Sequence, residues 1–522
     1  MTASHASSHA TPPTSSASDE FQRRSAEIND LLCVLNLLAW DARTQMPAGG
    51  GGPRAQQLAT ISALARERTL DPAFAQAAQS TLDAGQHIRA ATQALDASRA
   101  MARAPERLTR ELASLKSASQ DAWVRARAAS DFAAFAPSLR RMVELNRELA
   151  AALGYEDHPY DALLNLYEPG LTGRTLTPLF AQLRAHHVPL VAAIRARPAP
   201  RTEFLRRHYP AAQQRQVSLA AAQGFGYDLN RGRLDESAHP FEISFTRQDV
   251  RITTRIQEEF LSGALFGTLH ETGHALYEQG LHPDLTRSVL ASDLLGLYAV
   301  GGASYGTHES QSRLWENRIG RSRAYWDAHY PALQAHFPQQ LADVSVSEFH
   351  RAVNEVRPSL IRVEADELTY DLHVMLRVDL ERALIGGDLD VNDLPAAWNA
   401  RIREDLNLDV PNDAVGVLQD IHWSSGMIGS FPTYTIGNVM ASQFFTAAQR
   451  ALPDLDAQLV RAEYGPLREW LTEQIYRHGR TFTPHELLTR VTGSGLDAAP
   501  YLKYLTDKYT GLYDLNNPEV HA

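Results

Sequence analysis

Cysteine is almost absent from this sequence, because Cys33 is the only one in 522 residues. A single thiol excludes a disulfide within the chain and any zinc site built on pairs of cysteines. Cys33 lies in the apolar run 31–35 and is predicted to be an inert core thiol. A metal site in this chain would therefore have to be built from histidine and carboxylate side chains.

Long apolar runs and an excess of positive charge are also lacking. The longest apolar stretch, residues 31–40, is too short to cross a bilayer and is interrupted by Asn36. Lys and Arg number 50 against 61 Asp and Glu, and the net charge of −11 argues against a nucleic-acid-binding surface. The composition, 44% hydrophobic and 21% charged, indicates a globular protein with neither a nucleic-acid nor a membrane partner.

The first residues show neither the basic start nor the apolar stretch of a signal peptide. Residues 1–19 are rich in Ser, Ala, Thr and His, and we predict that they form a disordered tail of a cytoplasmic protein. Residues 20–522 contain no repeat of fixed period and are expected to form one helical domain.

Helical patterns predominate before residue 240, and a hairpin pattern follows them. Helices are predicted over 20–47, 54–69, 175–196 and 211–223, with several long ones over 72–155. The glycine-rich run 46–53 is predicted to end the first helix as a turn. Residues 241–245 and 250–256 alternate and are rich in β-branched residues, which predicts two strands joined by a turn at 246–249. Such a strand could pair with the backbone of a peptide.

The sequence H-E-x-x-H occurs at His270, Glu271 and His274 within a predicted helix over 256–280. Residues four apart share one helix face, so both imidazoles can reach one ion. Zinc held by two His and one carboxylate keeps a position open for water. The metal lowers the pKa of that water and Glu271 can take its proton, which predicts a metal-dependent hydrolase.

The third ligand is left open by periodicity alone. Glu309 and Glu316 both follow the motif helix, and because they are seven residues apart they lie on nearly one helical face. Either carboxylate could complete the site.

Two other patterns carry weaker alternatives. Residues 302–306 match G-x-S-x-G around Ser304, but a serine nucleophile there needs an α/β sheet that the helical surroundings do not predict. A helical scaffold that binds metal without catalysis is a further alternative.

Arg362 and Asp366 lie four apart in a predicted helix, so an intrahelical ion pair is favoured over a fork for a substrate carboxylate.

Two segments near the C-terminal third are candidate pocket walls. His422 lies beside Asp420 and Trp423 in a loop that starts at Gly416, and this arrangement is typical of a pocket wall or of a packed turn. Tyr434 offers a hydroxyl as an oxyanion donor, with a core tyrosine as the equal alternative.

Taken together, six short blocks in this order resemble the carboxypeptidase Taq family of thermostable zinc carboxypeptidases. The blocks are His239-Pro-Phe241, Asp249-Val-Arg251-Ile-Thr253, His270-Glu-Thr-Gly-His274, His308-Glu309-Ser-Gln311, Ile361-Arg362-Val-Glu-Ala-Asp366-Glu367 and Gly416-Val-Leu-Gln419-Asp420-Ile-His422-Trp423. The resemblance covers roughly residues 20–515.

The resemblance implies a mainly α fold, in which one large helical domain has a deep groove and a small antiparallel sheet beside the metal helix. It implies a homodimer that releases single C-terminal residues from peptides with broad preference. It assigns Zn²⁺, with Co²⁺ as a substitute, to His270, His274 and Glu309, and the general base to Glu271.

The resemblance also makes Arg362 the reader of the substrate's terminal carboxylate. His239, Arg251, His422 and Tyr434 are the further substrate-binding candidates. The alternative function is a zinc oligopeptidase or peptidyl-dipeptidase, because the chemistry at the metal would be the same.

Overall fold

The computed structural model describes residues 16–516, and α-helices make up most of it, as predicted. The helices that precede the sheet are α1 (Ala17–Thr44), α2 (Gly51–Leu70), α3 (Pro72–Asp83), α4 (Ile88–Arg103), α5 (Glu106–Ala129), α6 (Phe132–Leu153), α7 (Pro159–Leu164), α8 (Gly173–Arg195) and α9 (Ala211–Phe225). In the described part of the chain, no helix combines the length and the apolar character needed to cross a membrane.

The helices that follow the sheet carry the candidate site and the C-terminal part of the fold. They are α10 (Leu261–Gln279), α11 (Tyr305–Arg313), α12 (Arg323–His336), α13 (Val346–Ala352), α14 (Tyr370–Gly386), α15 (Leu394–Leu406), α16 (Pro432–Ala451), α17 (Leu455–Val460), α18 (Gly465–Gln474), α19 (Pro484–Thr492) and α20 (Ala499–Tyr513). A π-helical segment, Leu314–Gly320, continues directly from α11.

The first helix begins earlier than predicted. Ser16 caps α1 in a reciprocal pair with Asp19, so residues 17–19 are helical and the prediction of disorder was wrong for them. The rest of the predicted tail, residues 1–15, lies outside the described residues. After Thr44 the glycine run is not a simple turn, because it forms a short 3₁₀ turn at Ala48–Gly50 and Gly51 already starts α2.

The sheet has three strands in the order β1-β3-β2. The predicted hairpin is confirmed by β2 (Glu242–Thr246) and β3 (Asp249–Thr254), which pair antiparallel. β1 (Gly232–Glu236) pairs parallel with β3, so the sheet is mixed and not antiparallel throughout. Its sequence, Gly-Arg-Leu-Asp-Glu, has no β-branched residue and no clear alternation, which is why the pattern did not predict it.

The core is divided in a way that holds α10 in place. α10 packs on β3 through a small cluster that contains Val250, Ile252 and Ala275. A separate cluster joins α1, α3 and α4 to the long connection between α10 and α11. Asn36 of α1 donates hydrogen bonds to the carbonyl oxygens of Ser244 in β2 and Ala299 in that connection, so the N-terminal helices brace both neighbours of the motif helix.

Candidate metal centre

Helix α10 presents two imidazoles on one face. His270 and His274 lie one turn apart, with their ring centroids separated by 5.0 Å. Most of the helix around them is buried, including Leu269 and Tyr277 on the flanking turns. Because packing fixes α10 on its other sides, both rings are held toward the same space.

Helix α11 brings a carboxylate to these rings. Glu309 Oε2 lies 3.5 Å from His270 Nε2 and 3.3 Å from His274 Nε2. One ligand atom from each of the three residues lies within 4.8 Å of the other two. Two imidazole nitrogens and one carboxylate oxygen are the donor set of catalytic zinc sites, and their convergence fits one divalent ion.

Two glycines allow the close approach of these helices. A Cβ atom at Gly273, inside the H-E-x-x-H motif, would lie 2.4 Å from the carbonyl oxygen of Gln311 in α11. A Cβ atom at Gly437 in α16 would lie 2.6 Å from Cγ of Glu309. Glu309 is therefore pressed toward the histidines from behind, and any side chain at either glycine would displace α11 or Glu309.

His270 is supported by a carboxylate. Its Nδ1 lies 3.0 Å from Oε2 of Glu316, on the opposite side of the ring from Glu309. Arg321 donates to the other Glu316 oxygen at 3.1 Å, and Arg313 lies 3.5 Å from Oε2. Contacts with His270 and with these guanidinium groups outweigh burial and hold the pKa of Glu316 down at about 2, so it is ionised.

His274 is supported by another imidazole ring instead. Its Nδ1 lies 2.6 Å from Nδ1 of His308, and the two rings stack with centroids 4.6 Å apart. His308 Nε2 in turn lies 2.9 Å from Oε1 of Glu278, which also accepts from the backbone N–H of Gly301. The carboxylate that supports His274 is therefore one residue further away than the one that supports His270.

Glu271 is buried beside the cluster. Burial raises the pKa of its carboxyl group to about 7, with Glu309 adding to the rise and His270 opposing it. A carboxyl group with a pKa near neutrality can both take and return a proton.

A second cluster forms around Arg362, and the predicted ion pair between Arg362 and Asp366 is wrong. Arg362 lies in a short 3₁₀ turn, Arg362–Glu364, and not in a longer helix. Its Nε and Nη2 donate to Asp420 at 3.0 and 2.8 Å, and its Nη1 donates to the hydroxyl of Tyr370 at 2.9 Å. Asp366 instead accepts from the backbone N–H and the hydroxyl of Thr369, the residue that precedes α14.

His422 and Tyr434 belong to this second cluster. Their Nε2 and hydroxyl oxygen are 3.2 Å apart, and the Tyr434 ring lies 5.3 Å from the Arg362 guanidinium. Burial lowers the pKa of His422 to about 3, so its ring is neutral. Tyr370 connects the two clusters, because Arg313 lies over its ring at 4.6 Å and donates to Glu309 at 2.8 Å.

His239 and Arg251 take no part in the hydrogen bonds and ion pairs of either cluster within the described residues. His239 is exposed just before β2, and Arg251 in β3 pairs with Asp249 and lies over the ring of Trp40 at 4.3 Å. Across residues 16–516, no hydrogen bond or ion pair joins either side chain to His270, His274 or Glu309.

Ser304 has a structural position. It is buried and caps α11, where its Oγ accepts from the backbone N–H of Thr307 at 2.9 Å. The preceding segment is a loop and not a strand, so the strand–turn–helix of a nucleophile elbow is not formed.

Several residues of the two clusters were not singled out from the sequence. Glu278 follows His274 by four residues, a spacing that places it on the same helix face and could have been noticed. Arg377, which donates to Asp420 at 2.6 Å, carries no local signal because its partner lies 43 residues away in the chain. Tyr370 and Arg321 have nearer partners, eight and five residues before them, but neither spacing is the i, i+3 or i, i+4 of a helical pair.

A helical protein with H-E-x-x-H and a carboxylate on the following helix has the features of a metallopeptidase. Comparison with known proteins gives the family: the profile of the carboxypeptidase Taq (M32) metallopeptidases matches residues 20–509. The chain belongs to this family and is a metallocarboxypeptidase.

Similar proteins cover nearly the whole chain. Thermostable carboxypeptidase 1 of Thermus thermophilus is 42% identical, over 95% of this chain and 98% of that protein. Carboxypeptidase 1 of Bacillus subtilis is 38% identical, over 91% and 95%. A crystal structure of an M32 carboxypeptidase from Deinococcus radiodurans R1 matches with a TM-score of 0.90 and 42% identity, over 95% of this chain and 99% of that one.

Proposed function

We propose that this metallocarboxypeptidase is zinc-dependent, accepts Co²⁺ in place of Zn²⁺, and releases single residues with broad preference from peptides that have a free C-terminus. The observation that carries the proposal is the convergence of His270, His274 and Glu309 within 4.8 Å, next to the buried carboxyl group of Glu271. The family resemblance also supports a deep substrate groove and a homodimer.

His270, His274 and Glu309 are the proposed metal ligands. When bound, the ion supplies Lewis-acid chemistry toward the scissile carbonyl and makes water more acidic. Glu271 is the proposed general base, which takes a proton from the attacking water on a carboxylate oxygen. It then returns that proton to the nitrogen of the departing residue, and a pKa near 7 suits both transfers.

Arg362 is the proposed partner of the substrate's terminal carboxylate. A guanidinium has five N–H groups, and Asp420 and Tyr370 use three of those on Arg362. Nη1 and Nη2 each keep one N–H, and this pair forms the fork that binds a carboxylate with two hydrogen bonds. Asp420 and Tyr370 orient the fork, since they hold the guanidinium from its other edges.

The remaining candidates have less direct support. Tyr434 lies against Arg362 and offers its hydroxyl as a donor to the developing oxyanion, with neutral His422 beside it. His239 and Arg251 are proposed to contact more distant residues of the peptide from the sheet, where a strand edge suits an extended chain.

The proposal is tested by mass spectrometry of an unblocked peptide incubated with the protein. A ladder that loses one C-terminal residue at a time, stops with a chelator and returns with zinc or cobalt is the expected result. The matched control is Glu271→Gln, which should retain metal and give no ladder. Internal fragments or released dipeptides would replace the proposal with the oligopeptidase or peptidyl-dipeptidase function.

The role of Arg362 is tested separately with Arg362→Ala and peptide pairs that differ only in a free or amidated C-terminus. The substitution should lower kcat/KM by about a hundredfold for the free peptide, as expected for a lost bidentate ion pair, and by much less for the amidated peptide. Arg174→Ala, which removes an exposed guanidinium paired with Asp157, is the control. Equal losses on both peptides would remove Arg362 from carboxylate recognition.

A further inference from the structure

A large cavity lies outside the metal centre. It has a volume of about 1040 Å³ and is bounded by residues 318–323, α13, α16 and α20. None of the proposed metal ligands or substrate contacts lines it. Pockets for small molecules usually measure about 300–1,000 Å³, so this cavity is large enough for an organic molecule.

The wall of this cavity is cationic, although the chain as a whole carries a net charge of −11. Two carboxylates face the cavity, those of Asp497 and Asp507. The six cationic side chains that line it are Arg318, Arg321, Arg323, Arg351, Lys503 and Lys508. An anion entering the cavity would therefore meet more positive than negative groups.

Four of the six cations already have carboxylate partners. Arg321 pairs with Glu316 of the π-helical segment, and Arg323 pairs with Asp327 in the first turns of α12. Lys503 pairs with Asp507 at 2.8 Å and Lys508 with Glu367 at 2.5 Å. These pairs reduce the field in the cavity, so the case for a ligand depends on the other two.

Arg318 is the strongest indication of a ligand. Its guanidinium lies over the rings of Tyr504 and Phe445, at 3.9 and 4.4 Å from their centroids, and it forms no ion pair or side-chain hydrogen bond within residues 16–516. It is partly buried, and burial lowers its pKa. A partly desolvated guanidinium with no anion in direct contact is costly, although the more distant carboxylates of Glu367, Asp456 and Asp507 oppose the effect of burial on its pKa. The two rings fix its position in the cavity wall.

Two further features point to the same chemistry. Arg351, in the last turn of α13, is exposed and also has no carboxylate partner among the described residues. Ser322 and Arg323 place the N-terminus of α12, a helix of 14 residues, at the cavity wall. The first backbone N–H groups of a helix favour an anion, so they add to the two unpaired guanidinium groups.

We propose that this cavity binds a small organic polyanion, a molecule with at least two phosphate, sulfonate or carboxylate groups on a body that packs beside Tyr504. Arg318 and Arg351 are the principal contacts. Arg321 connects the site to the metal centre, because it also donates to Glu316, the partner of His270.

The test uses pyrenetetrasulfonate, a fluorescent polyanion whose sulfonates bind metal ions weakly, titrated into the metal-loaded protein. We expect one saturable site. Arg318→Gln should weaken binding at least about tenfold, as should the double variant Arg351→Gln/Lys503→Gln, which alters exposed side chains and protects the test against misfolding of the first. Arg321 is left intact, because its loss would disturb Glu316.

The matched control is Arg174→Gln/Arg403→Gln, which removes two exposed cations at other sites and should leave the affinity unchanged. Arg362→Ala should also leave it unchanged. An absence of saturable binding, an equal loss in the control, or a loss only in Arg362→Ala would overturn the proposal. Displacement of the dye by a sugar bisphosphate or by a tricarboxylate identifies the natural chemistry, and displacement by neither at millimolar concentration counts against the site.

Discussion

The two histidines of the motif lie at similar distances from Glu309 but have different surroundings. His270 is backed by the ionised carboxylate of Glu316, which two arginines hold. His274 is backed by the ring of His308, and the carboxylate of Glu278 stands one residue behind it. One helix thus presents two chemically identical side chains whose basicity the protein sets separately.

The side chain that supports each histidine is therefore as much a part of the site as the histidine itself. A carboxylate in direct contact stabilises positive charge on an imidazole more than a second imidazole does, so His270 is expected to be the stronger donor. The surroundings of His270 and His274 can be altered separately, together through Glu309, or through the start of α11.

The largest effect is expected from Glu316→Gln, which removes the charge behind His270 and leaves Arg321 without its carboxylate. Zinc affinity should fall about 10–100-fold, measured by competition with a chromophoric chelator. The free energy of unfolding should fall by about 3 kcal/mol, because a buried ion pair loses one partner. Glu463→Gln, which leaves exposed Arg461 unpaired, should change neither quantity. An unchanged affinity would show that His270 does not depend on Glu316.

Gly437→Ala is expected to rank next, because it disturbs Glu309, the proposed metal ligand that lies close to both histidines. The added Cβ would lie 2.6 Å from Cγ of Glu309, so that carboxylate has to move. Overpacking of this kind costs about 1–3 kcal/mol, here divided between stability and metal binding. Gly224→Ala is the control, since a Cβ there meets nothing within 4 Å. The same chelator competition and calorimetry apply, and a normal metal affinity would mean that Glu309 is not held from behind by α16.

His308→Phe tests the other half of the comparison. The ring is kept but the acceptor of the His274 Nδ1 proton is lost, and zinc affinity should fall about tenfold, less than for Glu316→Gln. His308→Gln restores an acceptor and should recover part of the loss in the same assay. If His308→Phe lowers zinc affinity as much as Glu316→Gln does, direct contact with a charged group is not what distinguishes the two histidines.

The local part of this site could be predicted from the sequence, and the distant part could not. His270, Glu271 and His274 depend on one helix, so spacing alone indicates their geometry. The choice between Glu309 and Glu316 depended on the family resemblance, because helical periodicity puts both carboxylates on nearly one face. In the structure the chain changes from α to π helix at Leu314, so that periodicity does not hold as far as Glu316.

The arginine cluster shows the same limit on a larger scale. Spacing predicted a pair between Arg362 and Asp366, whereas Arg362 pairs with Asp420, 58 residues further along the chain. Such pairing is decided by how α14 and the 416–423 loop pack, and no local pattern encodes that packing. The helical fold and the hairpin were predicted because both follow periodicity, and β1 was missed because it has none.

The smallest effect is expected from Ser304→Ala, which weakens the start of the helix that carries both His308 and Glu309. Loss of the cap should cost about 1 kcal/mol of unfolding free energy, seen as a small fall in Tm. The cap affects the whole of α11 and not the surroundings of one histidine alone. Zinc affinity should therefore change little, and peptide hydrolysis should stay near that of the unaltered protein. Ser304→Asp, which restores a capping oxygen, should recover the stability. A loss of turnover in Ser304→Ala with full metal content would instead support Ser304 as a catalytic nucleophile. The unaltered protein should then also be inactivated by a serine reagent.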